Sequence, residues 1–143
     1  MCLQAPTDLP MDLGGCWFSC NFAPDDLPYV PESQSRAELQ ELRRLLFKLF
    51  DKLCEAHHWP HWSRFVLFGF SQGATVALDA MLHAPYRFGA VIAVSPSFVD
   101  FAVECTPQNG AKQTQCLWTA GSKDPVVAVA HAQRQFDKMC HAV

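Results

Sequence analysis

No Lys/Arg cluster longer than Arg43-Arg44 occurs in the 143 residues, and charged residues make up only 17% of them. Eleven basic side chains against fourteen acidic ones leave a formal charge of -3, which argues against a protein that grips nucleic-acid phosphates through a basic face. The start, Met1-Cys2-Leu3-Gln4-Ala5-Pro6, has neither a basic region nor a continuous apolar one, so no secretory signal is expected and a cytoplasmic setting is. The longest charge-free stretch through the middle, residues 65–78, is interrupted by Gly69, Ser71, Gln72 and Gly73 and is too short to span a bilayer. No C-x-x-C pair occurs among the seven cysteines. Their odd number and scatter, several within apolar runs, read as reduced thiols behaving as small hydrophobes. Internal repeats and low-complexity tracts are also absent.

What is present is apolar mass. Half of the residues are hydrophobic and 12% are aromatic, a composition that excludes a disordered chain. A globule of this length buries roughly two-thirds of its unfolded surface and needs neither disulfides nor a structural metal to build a core. The length suits one domain, spanning residues 1–143.

Residues 1–32 carry five prolines and Gly14-Gly15, which allow only short extended pieces, one of them Gly15-Cys16-Trp17-Phe18-Ser19. Ser35-Arg36-Ala37-Glu38 has the capping-box spacing and predicts a helix start. Leu39, Leu42, Leu46, Leu49, Phe50 and Leu53 then form a single helical stripe, with Glu41, Arg44, Lys48 and Lys52 on other faces, and the helix ends before Pro60. Arg64-Phe65-Val66-Leu67-Phe68-Gly69-Phe70 is the nearly continuous apolar run of a strand buried on both faces. Ala74 to Leu82 is apolar nearly all round and predicts a buried helix closed by Pro85. Ala90–Val94 and Gln115–Ala120 predict two further strands, separated by a loop from Pro96 to Gly110, and Gly121-Ser122-Lys123-Asp124-Pro125 opens a last helix. Helices alternating with doubly buried strands select an α/β fold with a parallel sheet and right-handed crossovers. Ser71 and Asp124 each follow a strand's carboxyl end, so both belong to one rim, where such sheets carry their sites.

Gly69-Phe70-Ser71-Gln72-Gly73 fits G-x-S-x-G between a strand and a helix, the context that gives this pattern a mechanical meaning. The turn forces Ser71 into a strained conformation, and glycine two residues to either side removes a clash. The hydroxyl stands clear of the sheet, with the Gln72 amide at the helix start aimed at an oxyanion forming beside it. A plain Gly-flanked structural turn is the alternative. Asp124 before Pro125 reads on its own as a helix N-cap.

Gly69-Phe70-Ser71-Gln72-Gly73-Ala74, followed fifty residues on by Gly121-Ser122-Lys123-Asp124-Pro125-Val126-Val127, resembles the phospholipase/carboxylesterase family of α/β-hydrolases, which includes acyl-protein thioesterases and bacterial serine esterases. Leu3-Gln4-Ala5-Pro6 and Gly15-Cys16-Trp17-Phe18-Ser19 resemble the segment preceding the elbow in those proteins, so the likeness covers nearly the whole chain. The resemblance implies a three-layer α/β-hydrolase-like, mostly parallel sheet. It implies Ser71 as nucleophile, Asp124 as the acid that orients a histidine, and the Gln72 amide as oxyanion donor. Carboxylic esters or thioesters of modest acyl groups would be the substrates, with no cofactor and no metal.

Two departures accompany the resemblance. Family members carry the catalytic histidine in a Gly-His loop after a further strand, and an earlier strand with a His-Gly-rich loop that donates a second oxyanion amide. Neither segment has a match here, so the expectation is a partial α/β-hydrolase domain, apparently truncated at both ends, with impaired turnover. His131 and His141 follow Asp124, but an inward stripe of Val129, Ala132, Phe136, Met139 and Cys140 places both on the solvent side with Arg134 and Lys138. A non-catalytic remnant or binding module of the same fold is the main rival. A metal site built from His57, His58 and His61, or one using the spacing Cys16-x-x-x-Cys20, is weaker, because structural zinc sites pair two knuckles at defined spacing.

Overall fold

The computed structural model describes residues 1–8, 14–20, 30–96 and 107–142. A two-residue hairpin, β1 (Thr7–Asp8) with β2 (Gly15–Cys16), precedes the long helix α1 (Glu32–His57). A single 3-10 turn over Trp62–Arg64 leads into β3 (Val66–Phe70), followed by α2 (Gln72–His83), β4 (Ala90–Val94), α3 (Asn109–Gln113), β5 (Cys116–Thr119) and α4 (Val129–Ala142). The five-residue α3 begins in the last two residues of the stretch expected to be loop and runs on past Gly110; positions 97–106 of that stretch lie outside the described residues.

The stripe on α1 faces as its spacing requires, with Leu39, Leu46 and Phe50 buried and Glu41, Arg44, Lys48 and Lys52 exposed. The helix starts a turn earlier than the capping-box reading expects. Pro31 occupies the N-cap, Ser35 is buried inside the helix, and the Glu38 carboxylate accepts from the Ser19 N–H at 2.6 Å and the Ser19 hydroxyl at 3.2 Å. A tertiary partner, not the helix's own first amides, has claimed that side chain. The C-terminus is a Schellman closure: His58 is left-handed at φ 55°, its N–H meets Glu55 O at 3.3 Å, and the Trp59 N–H meets Cys54 O at 2.9 Å.

β3, β4 and β5 form a parallel sheet in that order, in register Leu67–Val91–Cys116 and Gly69–Ala93–Trp118 on one face. That face receives the helices. α2 is buried along its whole middle, from Ala74 to Leu82, between the sheet and α1, and α4 reaches the sheet through Phe136, whose ring meets Trp118 edge-on at 5.7 Å. Trp62, 2% exposed, stacks with Phe88 and is anchored by its Nε1–H on Asp51 Oδ1 at 2.9 Å. Arg43 of α1 grips the buried Asp79 of α2 through a two-point fork, Nε–Oδ2 2.8 Å and Nη2–Oδ1 3.0 Å.

The strands are not buried on both faces as their apolar runs led us to expect. Val66, Phe68, Phe70 and Leu117 are 58, 70, 66 and 57% exposed, because the core helices α1, α2 and α4 all pack on the opposite face. The second covering layer of a three-layer architecture is not among the described residues. No helix among them is long and apolar enough to cross a membrane.

Candidate active site

β3 hands over to α2 in a single residue. Ser71 is the N-cap of α2 at φ 52° and ψ -121°, a left-handed conformation that L side chains resist, so the strain expected of the turn is present. Two sets of hydrogen bonds fix it: its N–H donates to Val94 O at 2.9 Å, and its carbonyl accepts from the amides of Ala74 and Thr75 at 3.0 and 3.2 Å. The close approach that demands glycine lies at Gly69, where a Cβ would sit 2.2 Å from the Gly73 carbonyl oxygen. At Gly73 a Cβ would meet only Trp17 Nε1, at 3.4 Å, so the steric requirement falls on the first glycine and not on both.

The amides of Gln72 and Gly73, in the first turn of α2, have no acceptor within the helix and point out of its positive end. The Gln72 side chain has a role the sequence reading did not assign. Its Oε1 accepts from the Trp17 N–H at 2.6 Å, and its Nε2 donates to Phe18 O at 2.6 Å and to Cys20 Sγ at 3.2 Å. The residue after Ser71 therefore clasps the chain that follows β2.

At the end of β4, Ser95 repeats the backbone strain at φ 45°, with its N–H on Thr119 O at 2.8 Å. Asp124 follows the end of β5. Its Oδ1 accepts from the amides of Val126 and Val127 at 2.9 Å each, and the Ser95 hydroxyl donates to the same carboxylate. The Val127 amide, then that of Val126, hold this carboxyl below the ordinary aspartate value, with a smaller contribution from Ser95. Asp124 does not open the last helix: α4 starts at Val129, and the carboxylate caps its own turn instead. Parallel strand order brings Ser71, Ser95 and Asp124 to the same carboxyl-terminal rim, with the Ser95 strand between the other two.

The histidines are distributed elsewhere. His57 and His61 flank the entry to β3, at the opposite edge of the sheet, and stack on Trp59 and Tyr86. His83, at the end of α2, has Nδ1 2.9 Å from Asp79 O, and His141 has Nδ1 2.6 Å from Asp137 O. Along α4, Ala132, Gln135 and Met139 are buried, Phe136 and His131 are half-buried, and Val129 and Cys140, expected to face inward, are exposed; the stripe is rotated toward Gln135. Among the described residues no histidine hydrogen-bonds Ser71 or Asp124, and no three His, Cys, Asp or Glu side chains converge as a metal site.

A profile of the phospholipase/carboxylesterase family matches residues 1–142. The chain belongs to that family. Among solved structures, esterase PE8 superposes with a TM-score of 0.71 at 24% identity, over 96% of this chain and 61% of its own. SOBER1 of Arabidopsis thaliana gives 0.68 at 21% identity, over 90% of this chain and 60% of its own. A phospholipase/carboxylesterase from Dyadobacter fermentans DSM 18053 gives 0.61 at 23% identity, over 80% of this chain and 56% of its own. These likenesses establish the α/β-hydrolase fold of the phospholipase/carboxylesterase member described here. The chain spans about three-fifths of the length of each of these structures. No curated protein matches it in sequence.

Proposed function

We propose that this phospholipase/carboxylesterase member is a serine hydrolase of carboxylic esters and thioesters, with Ser71 as the nucleophile. The observation that carries the reading is the backbone of Ser71, held at positive φ on a one-residue turn between the end of β3 and the buried helix α2. Strain of about 1–3 kcal/mol persists at such a position only where the surroundings over-determine it, and it concentrates at reacting residues. The Ser71 oxygen attacks the acyl carbonyl, and the Gln72 amide at the start of α2 stabilises the oxyanion. The tetrahedral adduct collapses to an acyl-enzyme as the departing alcohol or thiol carries off the Ser71 hydroxyl proton, and water then releases the acid and restores the hydroxyl. Asp124, held anionic by two amides and the Ser95 hydroxyl, takes the place of the acid that would orient a catalytic imidazole, a group that no described histidine supplies. The family's substrates need no cofactor for this chemistry. The six described cysteines are all free thiols, which suits a cytoplasmic setting.

A second reading, a member that keeps the fold without turnover, is favoured by one observation: the three donors to Asp124 are Val126, Val127 and Ser95, none of them an imidazole. Loss of the base in a Ser-His-Asp hydrolase lowers turnover by about 10⁶. A fluorophosphonate probe with intact-mass and peptide mass spectrometry separates the two. A single adduct on Ser71, absent from Ser71→Ala, supports the hydrolase; an unlabelled Ser71 under conditions that label a full-length relative supports the second reading.

A further inference from the structure

At the amino-terminal ends of the strands, one strand length or about 16 Å from the rim, three connecting segments enclose a cleft of about 280 Å³. Residues 61–63 lead into β3, residues 85–87 into β4, and α3 into β5. Its walls are tied to one another. The Phe88 N–H donates to Thr114 Oγ1 at 3.0 Å, that hydroxyl donates to Gly110 O at 2.7 Å, and the Gly89 N–H meets Phe65 O at 2.8 Å. At Gly110 the backbone of α3 lies so close to the 84–86 turn that a Cβ would stand 2.4 Å from Tyr86 O. The His61 ring stacks on Tyr86 at 5.5 Å, and Trp62 braces Tyr86 edge-on at 5.7 Å. A cleft fixed before its ligand arrives loses little ordering entropy on binding.

The lining is polar without being acidic: His61, Ser63, Tyr86, Arg87, Asn109 and Gln113 border the space, and no lining residue carries a carboxylate. Among the described residues, no hydrogen bond or ion pair occupies the side chains of Ser63, Tyr86, Arg87, Asn109 or Gln113. A single guanidinium balances one negative charge, and its planar fork matches a carboxylate through two parallel bonds. A dianionic phosphate would keep a charge unbalanced beside one permanent cation. The side-chain amides of Asn109 and Gln113 add neutral donors, and Tyr86, 47% exposed, offers an aromatic surface to an apolar body. We propose that this cleft binds a small aromatic monocarboxylate, its carboxylate forked on Arg87 and its ring against Tyr86. The volume lies just below the range of about 300–1,000 Å³ that holds drug-sized ligands, so an acid of one ring, the size of benzoate, suits it. The site is separate from Ser71 and stands whether or not the chain hydrolyses esters.

Titration of the full chain with sodium benzoate at constant ionic strength, followed by backbone-amide NMR, tests the site. Saturating shifts at residues 61–63, 85–87 and 109–113 are expected, with a Kd of about 1 mM. Arg87→Gln, at an exposed position and with unchanged circular dichroism, weakens binding at least tenfold, and so does replacing benzoate by neutral benzamide. Shifts that never saturate, or that centre on the rim at Ser71 and Asp124, overturn the proposal. Binding indifferent to Arg87→Gln or to the charge of the probe does the same, as does displacement by equimolar inorganic phosphate.

Discussion

The Trp17 backbone N–H donates to Gln72 Oε1 at 2.6 Å, joining the chain after β2 to the residue beside Ser71 across 55 positions of sequence. With the Gln72 Nε2 bonds to Phe18 and Cys20, this side chain anchors a segment that Glu38 also grips at Ser19 and that buries Phe18 in the core. Gln72→Ala keeps the backbone amide at the start of α2 and removes all three bonds. We expect a loss of about 1–3 kcal/mol in unfolding free energy and faster hydrogen exchange at Trp17, read by mass spectrometry or NMR. Unchanged protection at Trp17 would count against the anchoring role.

Backbone strain at Ser71 and crowding at Gly69 predict opposite effects of two small substitutions. Ser71→Gly relieves the positive φ and raises stability by about 1 kcal/mol or more, while abolishing any probe adduct. Gly69→Ala drives a methyl into the Gly73 carbonyl and lowers stability by about 3 kcal/mol. Urea denaturation of both variants measures the pair.

Burial pushes the Asp79 carboxyl above its usual value, against the pull of the Arg43 guanidinium. Arg43→Met leaves that carboxyl buried without its partner and costs about 3–5 kcal/mol. Because a raised folded-state value means that the native chain holds the proton more tightly than the unfolded one, the variant's deficit is smallest in acid and grows as pH rises through the folded value. The double replacement Arg43→Met, Asp79→Leu removes the stranded charge and recovers most of the loss; a cycle of thermal denaturations at pH 4 and 7 checks both statements.

Asp124 titrates in the other direction. Its carboxyl lies below the ordinary value, so its contribution to stability is complete above the unfolded-state value near ~3.9 and is lost as pH falls through the folded one. Ser95→Ala removes one donor and moves the Asp124 midpoint upward, by less than removal of the Val127 amide bond would. A carboxyl-carbon NMR titration of the two chains shows the shift.

Among the described thiols, burial, and secondarily the neighbouring Cys140, raise Cys116 to about 11. Cys2 and Cys140 are exposed. Iodoacetamide at neutral pH should therefore modify Cys2 and Cys140 first and Cys116 only on unfolding, which peptide mapping over time resolves.

Much of the frame was legible in the chain itself. The strand at Ala90–Val94 has the bounds its apolar run gave, and the helix after Ser71 and the rim position of Asp124 follow from local pattern and strand order. What escaped depends on partners far away in sequence. Glu38 has capping-box spacing but serves Ser19, and the Gln72 side chain serves Trp17, choices that local propensity cannot register. Ser95 gives no signal beyond following a strand, yet it shares the backbone strain of Ser71 and donates to Asp124. An apolar run such as 66–70 reports that its side chains avoid water, not whether a helix of the same chain covers them; hence the exposed face of β3.

The helix behind Ser71 is enclosed on every side from Ala74 to Leu82, so it cannot rotate or slide without opening the core. The Ser71 hydroxyl is presented from a fixed anvil. Across the rim, by contrast, Thr119 to Lys123 are all exposed and free of that confinement, which makes that side the adjustable one in the proposed reaction.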